Sequence, residues 1–279
     1  MVYKRQKLLL AILLEATSKI TIDELAGAVA VLNSNSSTIA HQHLFDFVDT
    51  SKPRSLQLEK DVTTLVSNNL ITTDGDRLDN KLSKEARAIA FEIPLDELAE
   101  IKKQLHVFWE LTPNERIKKA QDVLALKPST PASVETISIF TIGYEGDSID
   151  SFFKKVLNAG LKAIIDIRKN PISRKYGFSK KALKALCSDI GLDYYHFPEV
   201  GIATDLRKNL KSNTDYETLF EKYEETTLET TTESQKEIII ALQKKPSVLL
   251  CFEADSHLCH RSRLASRLAK ETHLQVRHL

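Results

Sequence analysis

The sequence predicts an α/β protein: a mostly parallel, five-stranded layer domain of Rossmann-like or flavodoxin-like type, preceded by a mainly helical, winged-helix domain. Three observations predict it. Beyond residue 134, short apolar runs alternate with longer amphipathic segments, the pattern of parallel strands joined by crossover helices. Before residue 126, helical periodicities precede two short extended runs that meet at Asp74-Gly75. Between the two regions lies a Pro/Ser-rich break, Lys127-Pro128-Ser129-Thr130-Pro131-Ala132-Ser133. The expected organisation is therefore a helical domain over 1–126, a linker over 127–134 and an α/β domain over 135–279. Two domains suit a chain of 279 residues.

In the first region, helix one is expected over Tyr3–Ala16. Thr21-Ile22-Asp23-Glu24 is a capping box that opens a second helix. A third follows Pro53, with Leu58, Val62, Leu65 and Val66 at helical spacing to about Asn68. Leu70–Leu78 reads as a hairpin turning at Asp74-Gly75. Three helices and a hairpin are the order of a winged helix, whose third helix and wing face DNA. Arg54, Gln57, Lys60 and Arg77 are the candidate DNA contacts. Two more helices are expected, over Leu95–Glu110 and from the capping box Thr112-Pro113-Asn114-Glu115. Phe45-Asp46-Phe47-Val48, Pro53-Arg54-Ser55-Leu56-Gln57, Asp61, Leu65 and Asn69-Leu70-Ile71 resemble winged-helix domains of prokaryotic regulatory and genome-defence proteins. Many of those carry Tyr-Gly-Pro before the third helix, where this chain has Ser51-Lys52-Pro53-Arg54.

In the second region, strands are expected at Ser138–Ile142, Ala163–Ile167, Asp193–Phe197, Ser247–Phe252 and Gln275–His278. Helices are expected at Ser148–Asn158, Ser179–Ile190, Tyr216–Lys244 and His260–Glu271. The helix from Asp215 to Glu237 carries eight acids against two lysines and reads as a solvated face. No glycine-rich dinucleotide or triphosphate motif follows the first strand.

Composition narrows the function classes. A net charge of +1 and a pI near 7.7 exclude a uniformly basic nucleic-acid coat. Three cysteines, Cys187, Cys251 and Cys259, argue against a disulfide scaffold and for a reducing compartment. Lys4, Arg5 and Lys7 before Leu8–Leu14 mimic a signal peptide, but Glu15 ends the run without a small-residue cleavage site. No run reaches membrane-spanning length, so the expectation is a soluble, cytoplasmic protein without a membrane partner.

Polar residues cluster where strands end. Strand one leads into Gly143-Tyr144-Glu145-Gly146. Strand two leads into Asp166-Ile167-Arg168 and then Ser173-Arg174-Lys175-Tyr176-Gly177-Phe178. Strand three ends at His196-Phe197-Pro198-Glu199, and strand four delivers Cys251 and Glu253 ahead of Cys259-His260-Arg261. Parallel strands bring such ends to one edge of the sheet, where ligands of open α/β folds bind. These motifs, with Pro198–Gly201 and the closing Val276-Arg277-His278, resemble the domain-of-unknown-function 488 family over about 137–279. Many members read Gly-His-Ser-Asn after strand one, so a role for that histidine is not carried by Gly143-Tyr144-Glu145-Gly146. The resemblance implies an α/β domain with a site at the strand ends; it implies no reaction.

Seven Lys/Arg and no acid lie from Arg168 to Lys184, interleaved with Tyr176 and Phe178, which suits phosphate with unstacked bases. His260 and Arg261 open the last helix, where backbone N–H groups attract anions. The phosphate-binding set is thus Gly143, Tyr144, Arg168, Ser173, Arg174, Tyr176, Cys259, His260 and Arg261. Asp166 and Glu253 are the candidate acid and base, and Cys251 the candidate nucleophile. Cys251, Glu253, His257, Cys259 and His260 leave room for a divalent metal, yet their spacing matches no recognised zinc motif. No cofactor is specified. The reading that follows is a DNA-associated enzyme that binds and modifies or cleaves a nucleotide or nucleic acid, its winged helix targeting DNA or a protein partner, with DNA favoured over RNA. The alternative is a transcriptional regulator whose α/β domain senses a phosphorylated small molecule.

Overall fold

The computed structural model describes residues 2–35, 45–48, 52–125, 138–203, 206, 210 and 212–279. The chain divides into two compact units, Met1–Ser129 and Thr130–Leu279. The expected linker over 127–134 lies outside the described residues.

The first unit begins with α1 (Lys4–Glu15), in which every residue from Leu8 to Leu13 is buried. The run that mimics a signal peptide is thus a core helix, apolar because neighbours cover it on all sides. A two-residue strand, β1 (Ile20–Thr21), leads into α2 (Ile22–Asn35). The capping box closes both ways: Glu24 N–H donates to Thr21 Oγ1 (3.2 Å) and Thr21 N–H to Glu24 Oε2 (2.9 Å). Next come α3 (Leu56–Ser67), capped by Ser55, then β2 (Thr73–Asp74) and β3 (Arg77–Leu78). The hairpin turns at Gly75, whose φ of +63° a side chain would resist. β1 adds to it, giving an antiparallel sheet of order β1-β3-β2. A helix the sequence reading missed, α4 (Lys84–Ala90), is too short for periodicity to reveal, although Ser83 caps it. α5 (Leu95–Glu110) and α6 (Pro113–Ala125) complete the unit as expected.

One buried ion pair ties this unit together. Arg116 donates to Glu24 Oε1 (2.7 Å) and to the carbonyls of Trp109 (2.6 Å) and Phe108 (3.3 Å). Removing one partner strands the other charge in the core, so Glu24→Ala is expected to destabilise this unit by about 3–5 kcal/mol. Urea unfolding followed by fluorescence of Trp109, the single tryptophan, checks this; an unchanged midpoint would show that the pair is dispensable.

The second unit is a five-stranded sheet of order β6-β5-β7-β4-β8, every pair parallel. Its strands are β4 (Ile139–Gly143), β5 (Ala163–Asp166), β6 (Asp193–His196), β7 (Ser247–Cys251) and β8 (Val276–His278). All residues of β4, β5 and β7 are buried, as a parallel sheet covered on both faces requires. The architecture is Rossmann-like, with one difference of order: the fourth strand of the unit lies between the first and second. Helices α7 (Ile149–Asn158), α8 (Lys180–Asp189) and α11 (His260–Thr272) fall where expected.

The acidic crossover is not one helix. It breaks into α9 (Asn213–Tyr223), a π-turn at Glu224–Leu228 and α10 (Thr232–Lys244). The reason is local: Thr226, Thr230 and Thr231 each bond the carbonyl four residues back, which weakens and widens the helix there. The crossover's glutamates are exposed, a solvated face as expected, and three of them pair with arginines of α11: Glu217 and Glu224 with Arg263, and Glu229 with Arg267. Phe220, Ile238 and Leu242 from the crossover and Leu264 and Leu268 from α11 pack against Ile139, Ile165 and Leu249 of the sheet. Among the described residues, no helix is long and apolar enough to cross a membrane.

Candidate active site at the carboxyl edge of the sheet

The strand order creates the site. From β4 the chain moves toward β5 and β6, whereas from adjacent β7 it moves the other way, to β8. Right-handed crossovers then send the following helices to opposite faces, leaving a crevice between the ends of β4 and β7. The parallel register brings the chemistry level: Gly143 faces Cys251, Leu250 faces Asp166, and Asp166 faces His196. A cleft of about 370 Å³ opens there, lined by Tyr144, Arg168, Ser173, Arg174, Cys251, Glu253 and His260 among others. Seven of the expected site residues therefore do converge.

A buried polar lattice forms one wall. Asp166 Oδ1 accepts from Arg168 Nε (2.8 Å) and Oδ2 from Arg168 Nη2 (2.6 Å), a two-pronged pair. Tyr194 OH donates to Asp166 Oδ2 (2.6 Å), and Arg168 Nη1 donates to Tyr144 Oη (3.1 Å) and the Phe178 carbonyl (2.9 Å). Burial works against the Arg168 charge, but the Asp166 pair outweighs it and holds the pKa above its ordinary value. Burial, and then the Asp166 charge, raises the Tyr194 phenol and pushes the Cys187 thiol up to about 12. Asp166, the expected acid or base, is fully buried and does not line the cleft; its carboxylate is held by Arg168 and Tyr194.

The opposite wall is β7 and the loop behind it. Gly143 lies so close to the loop after β7 that a Cβ there would sit 1.7 Å from the Glu253 carbonyl oxygen. Arg261, expected at a phosphate, is 1 % exposed. It donates instead to the carbonyls of Glu253 and Ala254 and to Thr141 Oγ1, fastening the loop to β4. Glu145 adds a second tie, its backbone N–H to the Phe252 carbonyl and its carboxylate to Ala254 N–H. Arg261 thus acts as a loop lock, its guanidinium satisfying the Glu253 and Ala254 carbonyls of the loop.

Between the walls sits a compact donor group. Cys251 Sγ lies 3.2 Å from Glu253 Oε2 and 3.6 Å from His260 Nδ1. Cys259 Sγ lies 3.9 Å from the same Nδ1. His260 Nε2 is 3.3 Å from the Ile167 carbonyl, which only accepts; the proton is thus on Nε2 and the Nδ1 lone pair faces the thiols. Burial alone would raise the Cys259 thiol, yet the bond from Cys251 and the nearby charge of Arg261 hold it well below its ordinary value. Cys259 and Arg261 do not border the cleft, whereas Cys251, Glu253 and His260 do.

The basic loop after β5 is divided. Lys169 and Arg174 are exposed on the cleft wall, and Ser173 Oγ accepts from Lys175 N–H (3.2 Å) in a local turn. Tyr176 is half-buried and lies outside the lining. Phe178, expected as an exposed base-stacking ring, is wholly buried and stacks on Tyr144 at 4.2 Å. The ring left exposed at the cleft is Phe252, and Ile172 is a second exposed apolar side chain in its lining. Sequence reading missed Lys169, Asn170, Ile172, Ile202 and Phe252 as lining residues. The available signal for Phe252 was its place inside Cys251-Phe252-Glu253, where a strand's final residue turns all three toward the edge. A larger cleft of about 450 Å³ beyond Ile202 is lined mainly by threonines and apolar side chains and gathers no comparable chemistry.

In the first unit the expected DNA contacts separate. Arg54 pairs with Glu59, Gln57 donates to Asp61, and Arg77 donates to the Lys19 carbonyl. Lys60 is exposed.

Residues 148–268 match the family model described as domain of unknown function DUF488, so the C-terminal half carries a DUF488 domain. The match takes in β5, β7 and the donor group but leaves β4, its Gly143–Gly146 turn and β8 outside. No curated protein and no solved structure matches the chain.

Proposed function

We propose that the C-terminal unit is an enzyme that binds a phosphate-bearing nucleotide or nucleic acid in the switch-point cleft and modifies or cleaves it. The N-terminal unit, as a winged helix, brings it to DNA or to a partner. One observation carries the reading: a half-buried carboxylate, Glu253, beside a thiol and an imidazole, opens onto the same cleft as the exposed cations Lys169 and Arg174. Cations in the wall suit phosphate, Phe252 and Ile172 offer apolar surface to a base, and the volume suits a mononucleotide. A site for binding alone has no use for an acid–base group at its floor. Glu253 is assigned the proton transfers. For the first unit, the order α1-β1-α2-α3-β2-β3 with its three-stranded sheet supports the winged-helix reading.

Fluorescence anisotropy with single- and double-stranded DNA and RNA, across a salt series, tests this. Replacing both Lys169 and Arg174 by Ala is expected to weaken binding at least about tenfold and to lower the salt slope by roughly two. Glu253→Gln is expected to retain binding while turnover, read by mass spectrometry of the bound nucleic acid, falls about 100-fold or more. Binding that ignores both salt and the double substitution would defeat the proposal. Ligand-dependent DNA affinity without any turnover would establish a regulator instead.

A further inference from the structure

Cys259 is the group that nucleotide binding leaves unexplained. A buried thiol that does not border the cleft contributes nothing to substrate contact, yet it shares one imidazole nitrogen with Cys251. We propose that Cys251 Sγ, Cys259 Sγ and His260 Nδ1 bind a zinc(II) ion, its fourth position facing the cleft beside Glu253. The assignment goes beyond substrate binding and stands on the donor geometry; only its part in turnover rests on the enzymatic reading above.

The three donor atoms lie within 4.8 Å of one another, and all three residues are buried. With Zn–S about 2.3 Å and Zn–N about 2.0 Å, the edges of a tetrahedron are about 3.5–3.8 Å long. The two sulfur-to-nitrogen separations, 3.6 and 3.9 Å, are close to that edge without rearrangement. Glu253 Oε2, 3.2 Å from Cys251 Sγ but outside the three-donor cluster, is placed to face a water in the fourth position. The outer support is also built: His260 Nε2 donates to the Ile167 carbonyl, which turns Nδ1 to the sulfurs, as metal-bound histidines require. Two thiolates balance the charge of the ion. Cys251 and His260 line the cleft and Cys259 backs them, so three protein donors leave one open position on the solvent side. A water there passes its proton to Glu253 and remains as metal-bound hydroxide.

Sequence spacing hides this set. Cys251 comes from the end of β7, while Cys259 and His260 are the cap and first residue of α11. Seven loop residues separate the thiols, and Arg261 folds that loop back so that they meet. Metal ligand and nucleophile are exclusive roles for Cys251, and the second thiol decides for ligand.

The test uses the full-length chain, stripped with a chelator and titrated with cobalt(II), then zinc(II). The expected result is a tetrahedral cobalt spectrum with a thiolate charge-transfer band, saturating at about one ion per chain and bleached by an equal amount of zinc. Cys259→Ser is expected to weaken binding at least about 100-fold, and Cys187→Ala to leave the band intact. A pale six-coordinate spectrum, no binding, or a band that survives both Cys251→Ser and Cys259→Ser would overturn the site. If those variants fail to fold, the wild-type spectrum decides alone. The Lys169 and Arg174 double substitution separates the two readings: nucleotide binding lost with the cobalt band intact sinks neither, whereas a missing band with nucleotide binding intact removes only the metal.

Discussion

Asp166→Ala is expected to destabilise the C-terminal unit by about 3–5 kcal/mol. The carboxylate is fully buried and holds two prongs of Arg168, itself 6 % exposed, together with the Tyr194 hydroxyl. Without it a guanidinium remains inside the protein, bonded only to Tyr144 and the Phe178 carbonyl by its remaining prong. The loss is in stability first and ligand affinity second, since Arg168 is then no longer aimed at the cleft wall. Replacing the pair together, Asp166→Leu with Arg168→Met, is expected to recover most of the stability, because no buried charge is left unpaired. Ligand binding is not expected to return. Far-UV circular dichroism in urea reads the change, while Trp109 fluorescence supplies the transition of the N-terminal unit for comparison. A single variant as stable as the parent would mean that Asp166 is not the anchor.

Gly143→Ala is expected to cost more than about 3 kcal/mol, above the usual range for an overpacked core. A Cβ would lie 1.7 Å from the Glu253 carbonyl oxygen and 2.5 Å from its carbon, so backbone rather than a flexible side chain must yield. The same carbonyl accepts from Arg261, and the neighbouring Phe252 carbonyl accepts from Glu145 N–H. Parting β4 from the loop therefore breaks the lock that shapes the cleft. The expected outcome is a protein with its N-terminal transition unchanged, a C-terminal unit unfolded at low urea and no cobalt band. Serine at this position is expected to behave like alanine. A folded Gly143→Ala protein with intact ligand binding would show that β4 and β7 can separate without consequence.

Much of the architecture was legible because it depends on local physics. The apolar runs of β4, β5 and β7 and the capping boxes at Thr21 and Thr112 act within a few residues, so they mark elements without knowledge of the fold. Where local signals conflicted, the reading failed. Between Tyr216 and Lys244 a continuous helical pattern conceals threonines whose hydroxyls compete for the helix's own carbonyls, and the result is a π-turn. At the site, period and position indicated that Asp166, Arg168, Cys251, Glu253 and His260 reach one edge. They did not indicate which way each points. Arg261 and Arg174 look alike as cations in a sequence; one is sealed under the loop it fastens and the other is exposed.

The amino-acid sequence by itself determined the alternation of strands and helices, the parallel sheet and the gathering of polar residues at its carboxyl edge. These follow from hydrophobic periodicity and chain direction. Only the tertiary structure decided which carboxylate meets solvent, which arginine is structural, and that two thiols eight residues apart share one imidazole nitrogen. Those outcomes depend on the strand order that inserts β7 beside β4 and on the loop folded back by Arg261. They are set by contacts between segments far apart along the chain, which no local pattern records.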